Sequence, residues 1–180
     1  MTIADGRVAS LCGQVDRPVG PQRYLIFTLA GDQFALEILR VRQIRSWADV
    51  KETPDAPDYV LGVTDLQGDD LYVVDLRKRL ALESISPNRR TMVIVLGFLS
   101  NGVNRPIGFT VDAVSDVYEF AVETTQRSTD FDSPVSRDFV RGITTVEGKR
   151  VTLLETDRLV DPSLVNRNIE ARMPTSRHVH

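Results

Sequence analysis

The chain has 180 residues, of which 42% are hydrophobic, and its 22 basic and 25 acidic residues leave a formal net charge of −3. This is enough apolar material for one ordinary domain or two very small ones. So small a net charge provides no strong field for phosphate backbones or anionic lipid, which disfavours a nucleic-acid partner. The longest apolar runs fall far short of the roughly 20 residues that cross a bilayer, so we expect no insertion into a membrane.

Few residue types are available for chemistry. Both histidines, His178 and His180, lie in the terminal R-H-V-H, so the body of the chain offers no imidazole as general base, zinc ligand or triad member. Cys12 is the single cysteine and cannot form an internal disulfide. The sequence therefore predicts a protein that is not an enzyme and has no catalytic residue, metal site or cofactor. No signal peptide is recognisable, which predicts a cytoplasmic location.

Residues 1–22 are polar, carry scattered Gly and Pro, and show no regular period, which predicts a flexible N-terminal arm. From Tyr24 onwards, short apolar runs alternate with Gly, Asp, Asn and Pro, a texture typical of small β architectures. The predicted strands are Y-L-I-F-T-L, Q-F-A-L-E-I, V-L-G-V-T-D-L, L-Y-V-V-D-L, T-M-V-I-V-L-G, R-P-I-G-F-T-V, F-V-R-G-I-T-T-V and K-R-V-T-L-L.

An internal repeat dominates this pattern. The segment that starts at Tyr59, Y-V-L-G-V-T-D-L-Q-G-D-D-L-Y-V-V-D-L, aligns without a gap with the segment that starts at Phe139, F-V-R-G-I-T-T-V-E-G-K-R-V-T-L-L-E-T, at an offset of 80. A second pair aligns F-A-L-E-I-L-R-V-R-Q-I from Phe34 with I-G-F-T-V-D-A-V-S-D-V from Ile107, at an offset of 73. Two copies of a strand set this small are best stabilised by packing against one another.

Each copy is expected to close into a small barrel, because closure removes the unpaired strand edges. The first barrel is predicted at about 24–86 and the second at about 90–160, within a folded region of 23–161. Short helices are predicted at Arg77–Glu83 and Thr156–Asp161, and residues 162–180 are predicted to continue as a helix or a flexible tail.

Two glycines mark predicted hairpin turns. Gly68 in D-L-Q-G-D-D and Gly148 in T-V-E-G-K-R each follow a polar residue between two apolar runs. A tight hairpin needs positive φ at such a position, which glycine adopts at little cost. We expect Gln67 and Glu147 beside them on the rims of the two barrels.

Candidate reactive groups are sparse. An enzyme would need acids such as Asp112, Asp116 and Glu119 to converge on one cavity, and we expect solvated turn acids instead. A nucleic-acid-binding barrel would need exposed aromatic side chains on a basic face, whereas Tyr24 and Phe27 lie in runs that are expected to be buried.

The quoted motifs together resemble the CheW family of chemotaxis coupling (adaptor) proteins, over about residues 24–160. The resemblance implies an all-β fold of two pseudo-symmetric, five-stranded SH3-like β-barrels with short helices and a groove between them. It also implies a non-catalytic adaptor that couples the cytoplasmic tips of chemoreceptors to the regulatory domain of a CheA-type histidine kinase. The expected location is the cytoplasm, at receptor arrays beneath the inner membrane.

The resemblance also implies partner-binding residues, for either the receptor or the kinase. The family motif I-L-K-V-Q-E-I corresponds to residues 38–44 and the motif G-V-x-N-L-R-G to residues 62–68. The residues expected to bind partners are Ile38, Val41, Gln43, Gly62, Asp65, Leu66, Gln67 and Gly68.

Two of these residues depart from the family pattern. Gln43 stands where the family commonly has Glu, and Gln67 stands where it commonly has Arg. Two neutral amides can still hydrogen-bond each other without leaving an unpaired charge, but the change is expected to alter partner choice. Two alternatives stay open: a CheW-like scaffold in a pilus-type or other non-flagellar pathway, and, more remotely, a small β-barrel that binds nucleic acid or a ligand.

Overall fold

The computed structural model describes residues 20–121 and 135–166. The expectations about Cys12, the two histidines, most of the N-terminal arm and residues 167–180 lie outside the described residues. The described part of the arm is already regular, because the first strand begins at Pro21.

Ten strands make up most of the fold. They are β1 (Pro21–Leu29), β2 (Asp32–Glu37), β3 (Val41–Ser46), β4 (Val60–Leu66), β5 (Asp69–Val74), β6 (Met92–Ser100), β7 (Val103–Val111), β8 (Ala113–Ala121), β9 (Val140–Val146) and β10 (Lys149–Leu154). All eight predicted strands are present. The two strands without a predicted counterpart of their own are β3 and β8.

The strands form two five-stranded sheets, in the orders β8-β1-β2-β10-β9 and β3-β6-β7-β5-β4. Each sheet combines three antiparallel pairs with one parallel pair, which joins β2 to β10 in the first sheet and β5 to β7 in the second. The expected fold class, all-β with two five-stranded units, is confirmed.

The two sheets are equivalent in the register of their strand pairs, as the sequence repeat predicts. Thr152 lies opposite Phe34 in the first sheet, and Tyr72 lies opposite Ile107 in the second. These pairs are related by the offsets of 80 and 73 found in the sequence. The register shift in β9–β10 at Leu153/Leu154 likewise has its counterpart in β4–β5. The two sheets are therefore two copies of one arrangement.

The predicted halves do not coincide with the two sheets. Residues 24–86 hold β1 and β2 of the first sheet and β3 to β5 of the second, and residues 90–160 are divided in the reverse way. Each sheet thus consists of the first two strands of one repeat and the last three of the other. The two copies have similar strands at their sheet edges. A strand could therefore pair with its own copy or with the other copy, and the repeat in the sequence does not distinguish these two pairings.

A shared core lies between the sheets. Leu25, Phe27 and Leu36 of the first sheet join Ile94, Phe109 and other residues of the second in one buried cluster. The opposite face of each sheet carries a smaller cluster of its own. The single tryptophan, Trp47, packs half-buried against the small cluster of the second sheet. The two units are held together mainly by apolar burial.

The helical segments are shorter than predicted. A helix spans Leu76–Arg79, and Ala81 follows with φ of +58°, so the helix ends before Glu83. Asp75 caps its start by accepting from the backbone N–H groups of Arg77 and Lys78. Near the C-terminal end, a 3-10 helix spans Thr156–Arg158 and residues 162–166 are helical.

The predicted turn glycines have the expected geometry, with φ of +89° at Gly68 and +77° at Gly148. The residues before them, Gln67 and Glu147, also have positive φ, at +53° and +50°. Two successive left-handed residues define a type I′ hairpin, which matches the twist of the flanking strands. The polar residue before each glycine thus belongs to the turn itself.

Candidate partner-binding surfaces

A cleft of about 290 Å³ opens at one end of the second barrel, and we call it the mouth cleft. All five strands of the sheet reach it, either directly or through the β4–β5 turn. Its lining residues are Arg42, Gln43, Leu66, Gln67, Asp69, Val95, Asn104 and Pro106. Val95 belongs to the barrel's own apolar cluster, so the cleft has an apolar floor and a polar rim rich in amides.

The β4–β5 turn forms one side of the mouth cleft and is held by two hydrogen bonds. The backbone N–H of Gly68 donates to Oδ1 of Asp65 at 3.2 Å, within the turn. Nη1 of Arg45 donates to the carbonyl oxygen of Asp65 at 3.1 Å, which ties edge strand β3 to edge strand β4. A bridge between Lys51 and Val63 adds a second link across the same opening. The second sheet is closed into a barrel by these contacts.

Gly62 is placed beside this bridge for a steric reason. It lies at a register shift in β4 with φ of +151°. A Cβ atom at this position would come within 2.2 Å of the carbonyl oxygen of Lys51. The glycine of the first turn motif therefore allows the Lys51–Val63 bridge to form, and it lies away from the cleft lining.

The first barrel closes at its corresponding end with different side chains. Tyr118 on β8 is hydrogen-bonded to Glu147 of the β9–β10 turn. Desolvation raises the pKa of the Tyr118 hydroxyl, and the hydrogen bond and negative charge of Glu147 raise it further. Tyr118 is the repeat counterpart of Arg45, and Glu147 is the counterpart of Gln67. The two barrel ends thus differ in the side chains that face the turn, a tyrosine beside Glu147 in the first barrel and an arginine beside the Gln67 turn in the second.

The predicted partner-binding residues fall into two sets in space. Gln43, Leu66 and Gln67 line the mouth cleft, and Asp65 and Gly68 shape its turn. Ile38 and Val41 instead pack against the shared core between the barrels. Ile38 belongs to a 3-10 helix, Ile38–Arg40, and β3 begins only at Val41, so the first motif is part helix and part strand.

Gln43 and Gln67 both line the mouth cleft. Within residues 20–121 and 135–166, no hydrogen bond joins their side chains. Both amides therefore remain available to a partner.

A second cleft, of about 160 Å³, lies between the tip of the β6–β7 hairpin and the helical residues 162–166, and we call it the hairpin cleft. It is lined by Phe98, Leu99, Ser100, Asp157, Val160, Pro162, Val165 and Asn166. Leu99 is 77% exposed, so the cleft presents apolar surface to solvent. No sequence motif predicts this site, because its two sides are about 60 residues apart along the chain.

Arg40 joins the first motif to the hairpin cleft. Its Nη2 lies 2.8 Å from Oδ1 of Asp157, and its Nε donates to the carbonyl oxygen of Gly97 at 3.0 Å. The guanidinium carbon lies 5.2 Å from the centre of the Phe98 ring. Leu39, next to it in the 3-10 helix, is 83% exposed. Residues 38–41 therefore border the hairpin cleft, while Gln43 points to the mouth cleft.

The candidate acids do not converge. Asp112 pairs with Arg77 at 2.5 Å and accepts the backbone N–H of Ala30, whereas Asp116 and Glu119 are exposed on β8. In the described part of the chain, no group of three or more His, Cys, Asp or Glu residues could hold a metal ion. Tyr24 and Phe27 are buried, as expected, and Phe34 is buried as well.

Comparison with protein families assigns the chain. The model of the CheW-like domain matches residues 23–163, which is most of the chain and includes nearly all of both barrels. The chain belongs to the CheW-like family.

Individual relatives agree with this assignment. The chain is 36% identical over 138 residues to the chemotaxis protein CheW of Rhizobium meliloti, covering 77% of this chain and 86% of the relative. It is 31% identical over 153 residues to the chemotaxis protein CheW of Klebsiella aerogenes, covering 85% and 87%. The CheW-like chain is thus an adaptor of chemotaxis, as the resemblance implied.

A solved structure confirms the CheW fold independently. The scaffolding protein TtCheW of Thermoanaerobacter tengcongensis superimposes with a TM-score of 0.67 at 23% identity, over 76% of this chain and 90% of that chain. At this identity, the match supports the two-barrel fold only. Across the described ranges, none of the helices is long and apolar enough to span a bilayer.

Proposed function

We propose that this CheW-like chain couples the cytoplasmic tips of chemoreceptors to the regulatory domain of a CheA-type histidine kinase, at receptor arrays beneath the inner membrane. A single observation carries the proposal. The residues that the resemblance implies to bind partners fall into two sets, one that lines the mouth cleft and one that borders the hairpin cleft through Arg40, which is consistent with two partners held at once.

The hairpin cleft fits the receptor. It combines the exposed Leu99 with the apolar residues Phe98 and Val165, which is the surface an amphipathic helix needs. The first motif borders it through Arg40, which contacts Phe98 and Asp157. The mouth cleft fits the kinase domain, which the resemblance implies to be another pair of barrels. Its apolar floor with a rim of amides and Arg42 is the composition of a protein interface with a polar border.

The repeat provides a matched pair of variants for the test. Leu66 and its counterpart Val146 are both half-buried at the ends of equivalent strands, and each packs against the small cluster of its own barrel. We expect Leu66→Asp to weaken binding of the kinase regulatory domain about tenfold or more, because it places a charge on the floor of the mouth cleft. Val146→Asp costs a similar amount of fold stability and leaves that binding within about twofold.

The measurement is isothermal titration of each variant with the isolated kinase domain, alongside thermal unfolding of each variant. Equal losses for both variants would show that the effect follows stability and would reject the assignment of the mouth cleft. Failure of the unsubstituted chain to bind either partner would reject the proposed function itself.

A further inference from the structure

Arg105 is a buried cation without an ionic partner. It is only 8% exposed, and its Nε has no hydrogen-bond acceptor. Among residues 20–121 and 135–166, no carboxylate comes within 4.0 Å of its guanidinium group. Burying a charge without a partner opposes folding, so this residue needs an explanation outside the isolated chain.

The strand register places Arg105 beside the hairpin cleft. Arg105 pairs directly with Phe98 across β6 and β7, so the two side chains lie on the same face of the sheet. Phe98 lines the hairpin cleft. On its other side, Phe98 contacts Arg40, which is neutralised by Asp157. Of the two arginines at Phe98, only Arg105 keeps an unbalanced charge in the described part of the chain.

The neighbouring strand does not supply the missing acid. Asp70 lies on β5, two residues before the Tyr72–Ile107 pair, and therefore at the level of Arg105. It is exposed and forms no ion pair with Arg105 in the region that the structure describes.

The hairpin that carries Arg105 is longer than its internal counterpart. Phe27 and Leu96 are equivalent at an offset of 69, whereas Phe34 and Ile107 are equivalent at an offset of 73. The β6–β7 hairpin therefore has four more residues than the β1–β2 hairpin. The longer hairpin includes the exposed Leu99. It also places Oγ of Ser100 3.3 Å from Oδ1 of Asn166, to which it donates a hydrogen bond. One wall of the hairpin cleft is thus an addition to the repeated unit.

We propose that Arg105 is a specificity-determining residue of the hairpin cleft, where it pairs with an acidic side chain on the apolar helix that docks there. Charge complementarity defines the occupant: an amphipathic receptor helix whose apolar face includes one carboxylate. The inference rests on the proposed receptor binding. Docking supplies the missing counter-charge in a site from which water is largely excluded, so a helix without the acid is strongly disfavoured.

Substitution of Arg105 by methionine separates this role from a structural one. Arg105→Met removes an uncompensated buried charge while keeping most of the volume, so we expect the melting temperature of the isolated chain to rise by about 3 °C or more. The same change is expected to weaken binding of a receptor-tip fragment about thirtyfold or more. Arg89→Met, in an exposed loop, changes the net charge equally and is the matched control, with neither effect.

The experiment is thermal unfolding of the three proteins, followed by isothermal titration with the receptor-tip fragment. Conversion of each acidic residue of the fragment to its amide identifies the partner of Arg105, because that loss is not additive with Arg105→Met. A lower melting temperature for Arg105→Met, or unchanged receptor binding, would overturn the inference. If the unsubstituted chain does not bind the fragment while Arg105→Met still raises the melting temperature, the proposed receptor binding has failed separately.

Discussion

The guanidinium carbon of Arg79 lies 4.7 Å from the centre of the Tyr59 ring. It also lies 4.9 Å from the centre of the Phe139 ring. Tyr59 and Phe139 are the first residues of the two segments that align at an offset of 80, so one arginine contacts both equivalent aromatic residues. Arg79 further donates to the carbonyl oxygens of Leu159 and Arg158, at 2.8 and 3.1 Å. The Arg79 side chain therefore links the two barrels through residues that occupy equivalent positions in the repeat.

Replacement of Arg79 by alanine is expected to lower the free energy of unfolding by about 2–4 kcal/mol, because two cation–π contacts and two hydrogen bonds to carbonyl groups are lost. Arg79→Lys should recover part of this loss through its charge. Urea denaturation of each variant measures the effect, with Arg89→Ala as an exposed control. A loss from Arg79→Ala no larger than that of the control would show that this contact does not hold the barrels together.

A second prediction concerns the end of the helix Leu76–Arg79. Ala81 has φ of +58°, a left-handed conformation in which a Cβ atom is unfavourable. Ala81→Gly is expected to stabilise the chain by about 1 kcal/mol, because glycine adopts this conformation without strain. Ala113→Gly in strand β8 is the control, and it should destabilise by about 0.5–1 kcal/mol. A destabilising Ala81→Gly, measured by thermal unfolding, would contradict the left-handed geometry.

A third prediction concerns the amide pair in the mouth cleft. Gln43→Glu combined with Gln67→Arg restores the charges that the family commonly has. Because both residues line the mouth cleft, the change is expected to improve binding of a standard kinase regulatory domain. Each single substitution should help less, because it introduces a charge without its partner. Titration with the kinase domain measures the gain, and a parallel pull-down with the receptor tip shows whether that partner also responds. Absence of any gain with the kinase domain would reject this explanation of the two neutral amides.

Much of the fold could be predicted from the sequence because the signals are local. Gly68 and Gly148 between apolar runs predict the hairpins, and the two offsets predict which strands occupy equivalent places. The polar residues Gln67 and Glu147 were expected on the rims, but their left-handed backbone was not foreseen, since only the glycine has an obvious need for positive φ.

The exchange of strands between the repeats could not be predicted in this way. Pairing of β2 with β10, and of β7 with β5, is decided by contacts between distant segments whose local sequences are similar. Strand β3 was implied only by the resemblance, through the family motif at residues 38–44. Its residues are mostly exposed on a sheet edge, so no alternation of apolar and polar residues marks it.

The candidate sites also contain some residues that local motifs predict and others that only the three-dimensional packing shows. The family motifs predicted Gln43 and Gln67 together, and the structure places both in one cleft. Arg105 was not predicted, because its sequence context, N-R-P-I-G, is ordinary. Its significance depends on burial without a partner, which only the packed structure shows.

The central claim is that one chain holds a receptor and a kinase domain at the same time through separate clefts. Size-exclusion chromatography with light scattering, on a mixture of the chain, a receptor-tip fragment and the kinase regulatory domain, tests it most directly. Each contact alone should be of micromolar strength, as expected for interfaces that gain from multivalent assembly. A complex whose mass includes all three components is predicted. Displacement of one partner by the other would contradict the claim, since it would mean that both use a single site.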